Sequence, residues 1–169
     1  MNKDRIDIIL EEWQQELPQL DTSALGVTGR ILRIARLLEK HRESILLEYG
    51  LNVWSFDVLA TLRRQGQPFR LKPTELYSLL MLSSGAMTNR IDRLEQDGIV
   101  IRVRDAEDRR SVMVQLTPKG IQLADTVMPI LFEKEKQMLS QFTDNEVQLS
   151  IPLLRKLLTI LEQDAKSVS

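Results

Sequence analysis

The sequence predicts a mainly α-helical protein with a small β wing, in which a winged helix-turn-helix is flanked by N- and C-terminal helices. Three observations lead to this fold class. Apolar residues recur at helical spacing on both sides of the centre of the chain. In the centre, a short helix, a three-residue turn and a capped helix follow one another, as in a helix-turn-helix. Two β-prone runs on either side of a charged loop come next and predict a hairpin.

Composition places the chain among folded proteins of about one domain. Its 169 residues are 43% hydrophobic and 28% charged, with a net charge of −1, which excludes wholesale disorder. It has no apolar run of membrane-spanning length and no basic leader before an apolar run, so we expect a cytoplasmic protein without membrane contact. The absence of cysteine excludes disulfides and thiolate zinc sites, and we expect no cofactor and no bound metal.

Two helices are predicted before the motif. Apolar residues at helical spacing predict the first, which Pro18 ends. Either Asp21 or Thr22 is expected to cap the second, which runs to about residue 49 and stops at Gly50.

A third helix is predicted over residues 53–64 and ends at Gly66. The segment QGQPF that follows is a turn, and residues 70–71 form at most a very short strand. Pro73 suits the first position of a helix, so a short helix is predicted from there to about Leu80.

The second helix of the motif follows a three-residue turn, with Ser83 or Ser84 as its cap. It ends at Gly98, and its inward positions are Met87, Ile91 and Leu94. Residues 99–104 and 111–116 then form the hairpin. In its second run an apolar face alternates with a more polar one: Val112, Val114 and Leu116 against Ser111, Met113 and Gln115.

Two further helices complete the chain. Thr117 and Pro118 begin the first, which runs to about residue 139. TDNE, at residues 143–146, is a capping box that opens the last helix. That helix carries a leucine stripe: Leu149, Leu153, Leu157 and Leu161. The helices outside the motif have only each other and a second copy of the chain as partners, so we expect dimerisation, with a thicker monomer core as the alternative.

The second helix of the motif has the residue types of a DNA reader. Its first turns are small and polar without an acid before Asp92, whereas a plain solvent face is usually rich in Glu and Lys. Gly85 and Ala86 permit a close approach to the helix end, whose free amide groups suit a phosphate. The side chains able to bond base edges or phosphates of double-stranded DNA are Ser84, Thr88, Asn89, Arg90 and Arg93. Lys72 is a poor helix cap and suits a phosphate contact.

The charged loop of the hairpin, RVRDAEDRR at residues 102–110, nearly cancels its own charge. Asp105, Glu107 and Asp108 suit a turn, and they can pair with neighbouring arginines to hold the loop in shape. Position on the wing, rather than net charge, is therefore the predicted basis of DNA contact.

Other functions fit the sequence less well. One histidine, no cysteine and no glycine-rich phosphate loop leave little for catalysis, so we expect the chain not to be an enzyme. The alternative to a DNA reader is a winged helix used as a protein-interaction module without operator binding. Such a module should expose an apolar patch where this chain has SSGAMTNR.

The stretch LKPTELYSLLMLSSGAMTNRIDRLEQDGIVIRVRDAEDRRSVMVQLTPKG resembles the core of the MarR family of transcriptional regulators, most closely in its EDRRSVMVQLTPKG ending. The resemblance implies a homodimer with interleaved terminal helices that binds a pseudo-palindromic operator, usually as a ligand-responsive repressor. It extends the major-groove reader to residues 83–93, which adds Ser83. It also assigns Asp108, Arg109 and Arg110 to the wing, with one arginine entering the minor groove.

A narrower resemblance is to the PecS-like, urate-responsive subgroup of that family. It lies in LSSGAMTNRIDRLE, in FDVLATLRR and in an N-terminal helix that carries a tryptophan. The resemblance implies an anionic effector, urate or another aromatic acid, held by Trp13, Asp57 and Arg90, with Arg30 as a fourth residue. The anion would compete with Asp57 and DNA for Arg90. Trp13 as core filler and Asp57 in a structural ion pair are the alternatives.

Three regions follow from these arguments. Residues 1–52 are N-terminal helices for dimerisation and, by the resemblance, a ligand cleft. Residues 53–116 are the winged helix-turn-helix DNA-binding region, and residues 117–169 are C-terminal dimerisation helices.

Overall fold

The computed structural model describes residues 3–80, 84–104 and 111–167, with the backbone alone at 84–88 and at 166. Within these ranges the elements are α1 (Arg5–Glu16), α2 (Leu25–Leu47), α3 (Val53–Arg63), β1 (Arg70–Leu71), α4 (Pro73–Leu80), α5 (Ser84–Gln96), β2 (Val100–Arg104), β3 (Val112–Leu116), α6 (Pro118–Met138) and α7 (Asp144–Ser167). The predicted fold class is confirmed. The chain divides into two compact units, Met1–Val127 and Met128–Ser169.

Helix α1 begins with a capping box that the sequence analysis did not identify. The Asp4 carboxylate accepts hydrogen bonds from the backbone N–H groups of Ile6, at 2.7 Å, and Asp7, at 3.1 Å. The Asp7 carboxylate in turn accepts from the Asp4 N–H at 2.9 Å. These reciprocal bonds satisfy amide groups that a helix start otherwise leaves unpaired.

The predicted cap of α2 was wrong. The N-cap residue is Ala24, which supplies no side-chain hydrogen bond. Asp21 instead accepts a bond from the Ser23 N–H at 2.9 Å, a turn geometry that this residue type favours over a helix cap. The other end was predicted correctly: the chain turns at Gly50, whose φ of 68° lies in the left-handed region that glycine adopts without strain.

The core of the first unit lies between the motif helices and the sheet. Phe56, Val58, Leu59 and Leu62 of α3 are buried, as is Leu76 of α4. Ile91 and Leu94 of α5 are 1% and 2% exposed, which confirms their predicted inward direction; the side chain of Met87 is outside the described part. This packing fixes which face of α5 is left for solvent or a partner.

The sheet has three antiparallel strands in the order β1-β3-β2. Val114 and Leu116 of β3 are buried as predicted, but Val112 on the same face is 42% exposed. Val112 pairs with Arg104 at the end of the described ladder, so it lies beyond the core that covers the other two residues.

The two ends of the hairpin meet at one hydroxyl group. Oγ1 of Thr117 lies 2.7 Å from the carbonyl oxygen of Gly98 and 3.1 Å from that of Ile99, and it accepts from the Gly120 N–H at 3.0 Å. Thr117 is therefore the cap of α6. A Cβ atom at Gly120 would lie 2.2 Å from the Ile99 carbonyl oxygen, so the first turn of α6 rests directly on backbone.

The second unit contains the predicted capping box of α7. The Thr143 N–H donates to Oε2 of Glu146 at 2.8 Å, and the Glu146 N–H donates back to Oγ1 of Thr143 at 3.3 Å. Most of the predicted leucine stripe is uncovered: Leu149 is 58%, Leu153 70% and Leu161 56% exposed. None of the helices in the described ranges is long and apolar enough to cross a membrane.

Candidate nucleic-acid interface

Helix α5 presents two polar side chains on the side opposite its buried residues. Asn89 and Arg93 are both exposed, and they are four residues apart, which places them on one face of the helix. Ile91 and Leu94 point into the core from the other side. Because those anchors fix the helix rotation, the amide and the guanidinium are presented outward for hydrogen bonding.

The start of α5 holds further predicted site residues. The backbone of Ser84, Gly85, Ala86 and Thr88 is helical, but their side chains are not described, and Ser83 lies outside the described residues. No acid occurs in the first turn of α5. A helix start without a nearby carboxylate suits a phosphate.

Lys72 immediately precedes α4. Its backbone N–H donates to Oε2 of Glu75 at 2.9 Å. The carboxylate of Glu75 therefore caps the helix, and the Lys72 side chain does not. Through its side chain, Lys72 forms no hydrogen bond or ion pair with any other residue in the described ranges. Its ammonium group carries no intramolecular bond in that part of the chain, and the phosphate contact stays a prediction.

Arg90 lies on the part of α5 that faces α3. Its guanidinium carbon is 5.5 Å from the centroid of the Trp54 ring, within the range of a cation–π contact. The contact ties a predicted DNA-contacting residue to the helix that also carries Asp57.

The strand after α5 is joined to that helix by Arg102. Its Nη2 donates to Oδ1 of Asp92 at 2.5 Å, its Nη1 donates to the Glu95 carboxylate, and its backbone N–H donates to Oε1 of Glu95 at 2.9 Å. This contact does not follow from the sequence, because Asp92 and Glu95 lie on a different element from the acids of the charged loop. The loop residues Asp105, Glu107, Asp108, Arg109 and Arg110 lie outside the described residues.

Arg63 of α3 forms an ion pair with Asp125 of α6. Its Nε donates to Oδ1 of Asp125 at 2.7 Å and its Nη2 to Oδ2 at 3.3 Å, while its guanidinium carbon lies 4.6 Å from the centroid of the Phe69 ring. Hydrogen bonding to Asp125 raises the pKa of Arg63. The neighbouring Arg64 is exposed.

Arg30, one of the predicted effector residues, is bound within the N-terminal helices. Its Nε donates to Oδ2 of Asp4 at 2.8 Å and its Nη2 to Oδ1 of Asp7 at 2.5 Å. Hydrogen bonds to Asp7 and then to Asp4 raise the pKa of the guanidinium. The arginine therefore holds the start of α1 against α2.

Asp57 pairs with Arg42 of α2, a residue that the sequence analysis did not single out. Nη2 of Arg42 lies 3.5 Å from Oδ1 of Asp57, and the Arg42 guanidinium carbon lies 5.5 Å from the centroid of the Phe56 ring. Burial raises the pKa of the Asp57 carboxyl, against the opposing effect of Arg42. Asp57 therefore lies in an ion pair between α2 and α3, which is the structural alternative given for this residue.

The four predicted effector residues are not joined to one another by polar or ring contacts in the described ranges. Trp13 is 42% exposed. Within the described ranges, no side-chain hydrogen bond, ion pair or ring contact joins any two of the set: Trp13, Arg30, Asp57 and Arg90. A common effector pocket for them stays a prediction.

A cavity of about 520 Å³ lies elsewhere in the first unit. It is lined by Tyr49, Gly50, Asp97, Ile99, Lys119, Gln122, Leu123 and Thr126. Nζ of Lys119 is already bonded to the Asp97 carbonyl oxygen at 2.7 Å. None of the predicted effector residues lines this cavity, and the described ranges contain no cluster of metal-binding side chains.

Comparison with known proteins points to one family. A family model described as the MarR family matches residues 51–112. The HTH-type transcriptional regulator PecS of Dickeya dadantii (strain 3937) is 37% identical over 138 residues, which cover 82% of this chain and 83% of that protein. The relatives are transcriptional regulators, which confirms the prediction of a regulator rather than an enzyme.

Solved structures agree with this comparison. AbsC, a MarR family transcriptional regulator from Streptomyces coelicolor, superposes with a TM-score of 0.76 at 21% identity, covering 85% of this chain and 97% of that one. A cysteine-to-serine mutant of MarR from E. coli, complexed with operator DNA, superposes with a TM-score of 0.69 at 26% identity, covering 86% of this chain and 97% of that one.

Proposed function

The chain belongs to the MarR family of transcriptional regulators, and from that premise we propose that it binds a pseudo-palindromic DNA operator as a cytoplasmic homodimer and represses transcription there. The observation that carries the proposal is the orientation of α5. Its buried Ile91 and Leu94 leave Asn89 and Arg93 directed outward, where they suit base edges and phosphates in a major groove.

The remaining DNA contacts are proposed from the sequence and the family resemblance. Ser83 and the start of α5, with Ser84, Gly85, Ala86 and Thr88, enter the major groove together with Arg90, and Lys72 binds a phosphate. Asp108, Arg109 and Arg110 form the wing end, and one of its arginines enters the minor groove. The mutant MarR that superposes on this chain is complexed with operator DNA, which supports the same use of the motif.

Dimerisation is supported by large uncovered apolar side chains on helices outside the motif. On α2, Val27 is 57% and Leu32 60% exposed, and on α7, Leu153 is 70% exposed. Apolar surface of this kind is unfavourable in water and is typical of an interface. We assign residues 1–52 and 117–169 to dimerisation and residues 53–116 to DNA binding.

Release of DNA by a small anionic aromatic effector completes the proposal. The effector residues are Trp13, Arg30, Asp57 and Arg90, with the cleft formed in part by the N-terminal helices. An anion that reaches Arg90 competes with DNA for its guanidinium. If the effector binds the conformation that does not bind DNA more tightly by about 1.4 kcal/mol, operator affinity falls tenfold.

Fluorescence anisotropy with labelled DNA that flanks the chain's own gene tests DNA binding. A reader with several phosphate contacts loses affinity steeply with salt, at about 0.9 log units per contact for each log unit of salt. A scrambled duplex of equal length is the control. Equal affinity for both duplexes, or an affinity insensitive to salt, contradicts operator recognition.

The effector is tested separately on the same protein. Urate and related aromatic acids are expected to raise the melting temperature and to displace labelled operator. Arg90→Gln and Asp57→Asn should weaken both effects, with Glu12→Gln as a matched surface control. Operator binding that no tested acid displaces contradicts the effector and leaves the DNA reader standing.

A further inference from the structure

Arg102 occupies a defined position on the hairpin. It lies two residues after Val100 on β2, so the two side chains point to the same face of the strand. Val100 is fully buried, whereas the Arg102 side chain is 31% exposed and lies about 7 Å further along the strand. Arg102 therefore lies at the boundary between the buried base of the hairpin and its more exposed end.

The partners of Arg102 lie together on α5. Asp92 and Glu95 are three residues apart on one helix face, and their side chains are 46% and 36% exposed. The guanidinium bridges the two carboxylates, and the Arg102 backbone N–H also donates to Glu95 at 2.9 Å. Three charge-assisted hydrogen bonds from one residue fix both the side chain and the strand backbone against the helix.

We propose that Arg102, Asp92 and Glu95 form a bridge that sets the direction of the wing relative to α5, so that the major-groove and minor-groove contacts are made together. This inference rests on the proposed operator binding and deepens it. Arg102 is a positioning residue, and its guanidinium is directed to the two acids rather than to DNA.

The charges explain why acids are present on this face. Two carboxylates on a DNA-reading helix repel phosphates if they are unpaired, and removing one should then strengthen binding. In the bridge, each acid instead holds the strand that carries the wing. Removing either acid of the bridge should therefore weaken operator binding, whereas removing an unpaired acid should strengthen it.

The bridge is tested by a double-mutant cycle in operator affinity. Arg102→Gln and Asp92→Asn are each expected to weaken operator binding about tenfold, with the double variant little weaker than either single one. Two nearby charges serve as matched controls. Arg104→Gln removes a positive charge two residues further along β2, and Asp97→Asn removes a negative charge just after α5; neither side chain forms an ion pair with a described residue.

Hydroxyl-radical footprinting separates positioning from general loss of stability. With Arg102→Gln, protection at the flanking wing positions should fall while protection at the central α5 positions remains. The charge-exchanged variant, Arg102→Asp with Asp92→Arg, should recover part of the flanking protection. Melting temperatures of all variants identify any that fail to fold. If Arg102→Gln fails to fold, Glu95→Gln is the milder change that replaces it.

Three outcomes overturn the bridge. Stronger binding by Asp92→Asn means that the acid only repels DNA. An equal affinity loss with Arg102→Gln and Arg104→Gln, with additive effects in the cycle, means that Arg102 acts through its charge alone. An unchanged flanking footprint with Arg102→Gln means that the wing is positioned without the bridge. Absence of operator binding by the unmodified protein is a different result, because it contradicts the proposed function itself.

Discussion

The guanidinium of Arg90 lies over the indole of Trp54, with 5.5 Å between the guanidinium carbon and the ring centroid. This places a side chain of α5 against an intrinsic fluorophore of α3. A phosphate or another anion bound to the guanidinium changes the charge beside the indole, so the surroundings of the indole depend on what Arg90 contacts.

Operator binding is therefore expected to change Trp54 emission. The chain has two tryptophans, so the measurement uses Trp13→Phe protein, in which Trp54 is the remaining one. Adding Arg90→Gln should remove most of the emission change and reduce operator affinity by about 1–3 kcal/mol. An emission spectrum unchanged by saturating operator would show that Arg90 stays on the ring in the complex.

The docking of α1 should depend on pH in the acid range. Hydrogen bonding from the Asp7 N–H, then from Arg30, lowers the pKa of Asp4; hydrogen bonding from the Asp4 N–H, then from Arg30, lowers that of Asp7. Because both pKa values are lower in the folded chain, their stabilising contribution is complete above the unfolded value of about 3.9 and is lost as the pH falls through the folded values. Protection factors of the α1 amides, corrected for the intrinsic exchange rate at each pH, should be high at pH 6 and should fall as the pH drops below about 3.9.

Arg30→Gln provides the control for this pH dependence. It removes the shared partner of both acids, so α1 should already exchange faster at pH 7, and its loss of protection should begin at higher pH. If the protection factors of α1 in the unmodified protein do not fall as the pH is lowered to the point at which both carboxylates are protonated, the carboxylates do not hold the helix.

Arg63→Gln should affect stability rather than DNA binding. The side chains of the Arg63–Asp125 pair are 33% and 49% exposed, so solvent screens the ion pair, and its loss together with the Phe69 contact should lower the free energy of unfolding only slightly. Urea unfolding measures this loss. The salt dependence of operator affinity should not change, and a shallower slope would instead place Arg63 on a phosphate.

Gly120→Ala is expected to destabilise the protein by about 1–3 kcal/mol. The added Cβ would meet the Ile99 carbonyl oxygen at 2.2 Å, and backbone cannot move aside as a flexible side chain can. Gly26→Ala is the matched helical control, since its nearest contact is 3.7 Å away; it should be neutral or stabilising by up to about 1 kcal/mol. Equal urea midpoints for the two variants would contradict the close approach.

Local chemistry was sufficient to predict most elements. Thr143 and Glu146 form the capping box that their spacing predicts. Gly50, Gly66 and Gly98 have positive φ where the predicted helices end. The failed cap of α2 is instructive, because Asp21 had two local hydrogen-bonding options and adopted the turn.

The pairings between distant segments could not be predicted in this way. Arg63 and Asp125 are 62 residues apart in the chain, and neither lies in a pattern that specifies the other. The same holds for Asp57, whose partner Arg42 is on a different helix. Arg102 looked like one of several loop arginines, and only the packing of β2 on α5 shows which acids it meets.

Because the hairpin is closed at Thr117, the segment between its two strands can change in length without disturbing the strand pairing. Five residue pairs from Val100 with Leu116 to Arg104 with Val112, and the Thr117 hydroxyl below them, hold the two chain ends together. Inserting residues between Arg104 and Ser111 leaves these pairs in place and adds loop-closure entropy, about 0.6 kcal/mol for each doubling of loop length. Under the proposed operator binding, proteins with this hairpin can therefore differ in the length of that segment, and in the spacing of their groove contacts, without a change in the core.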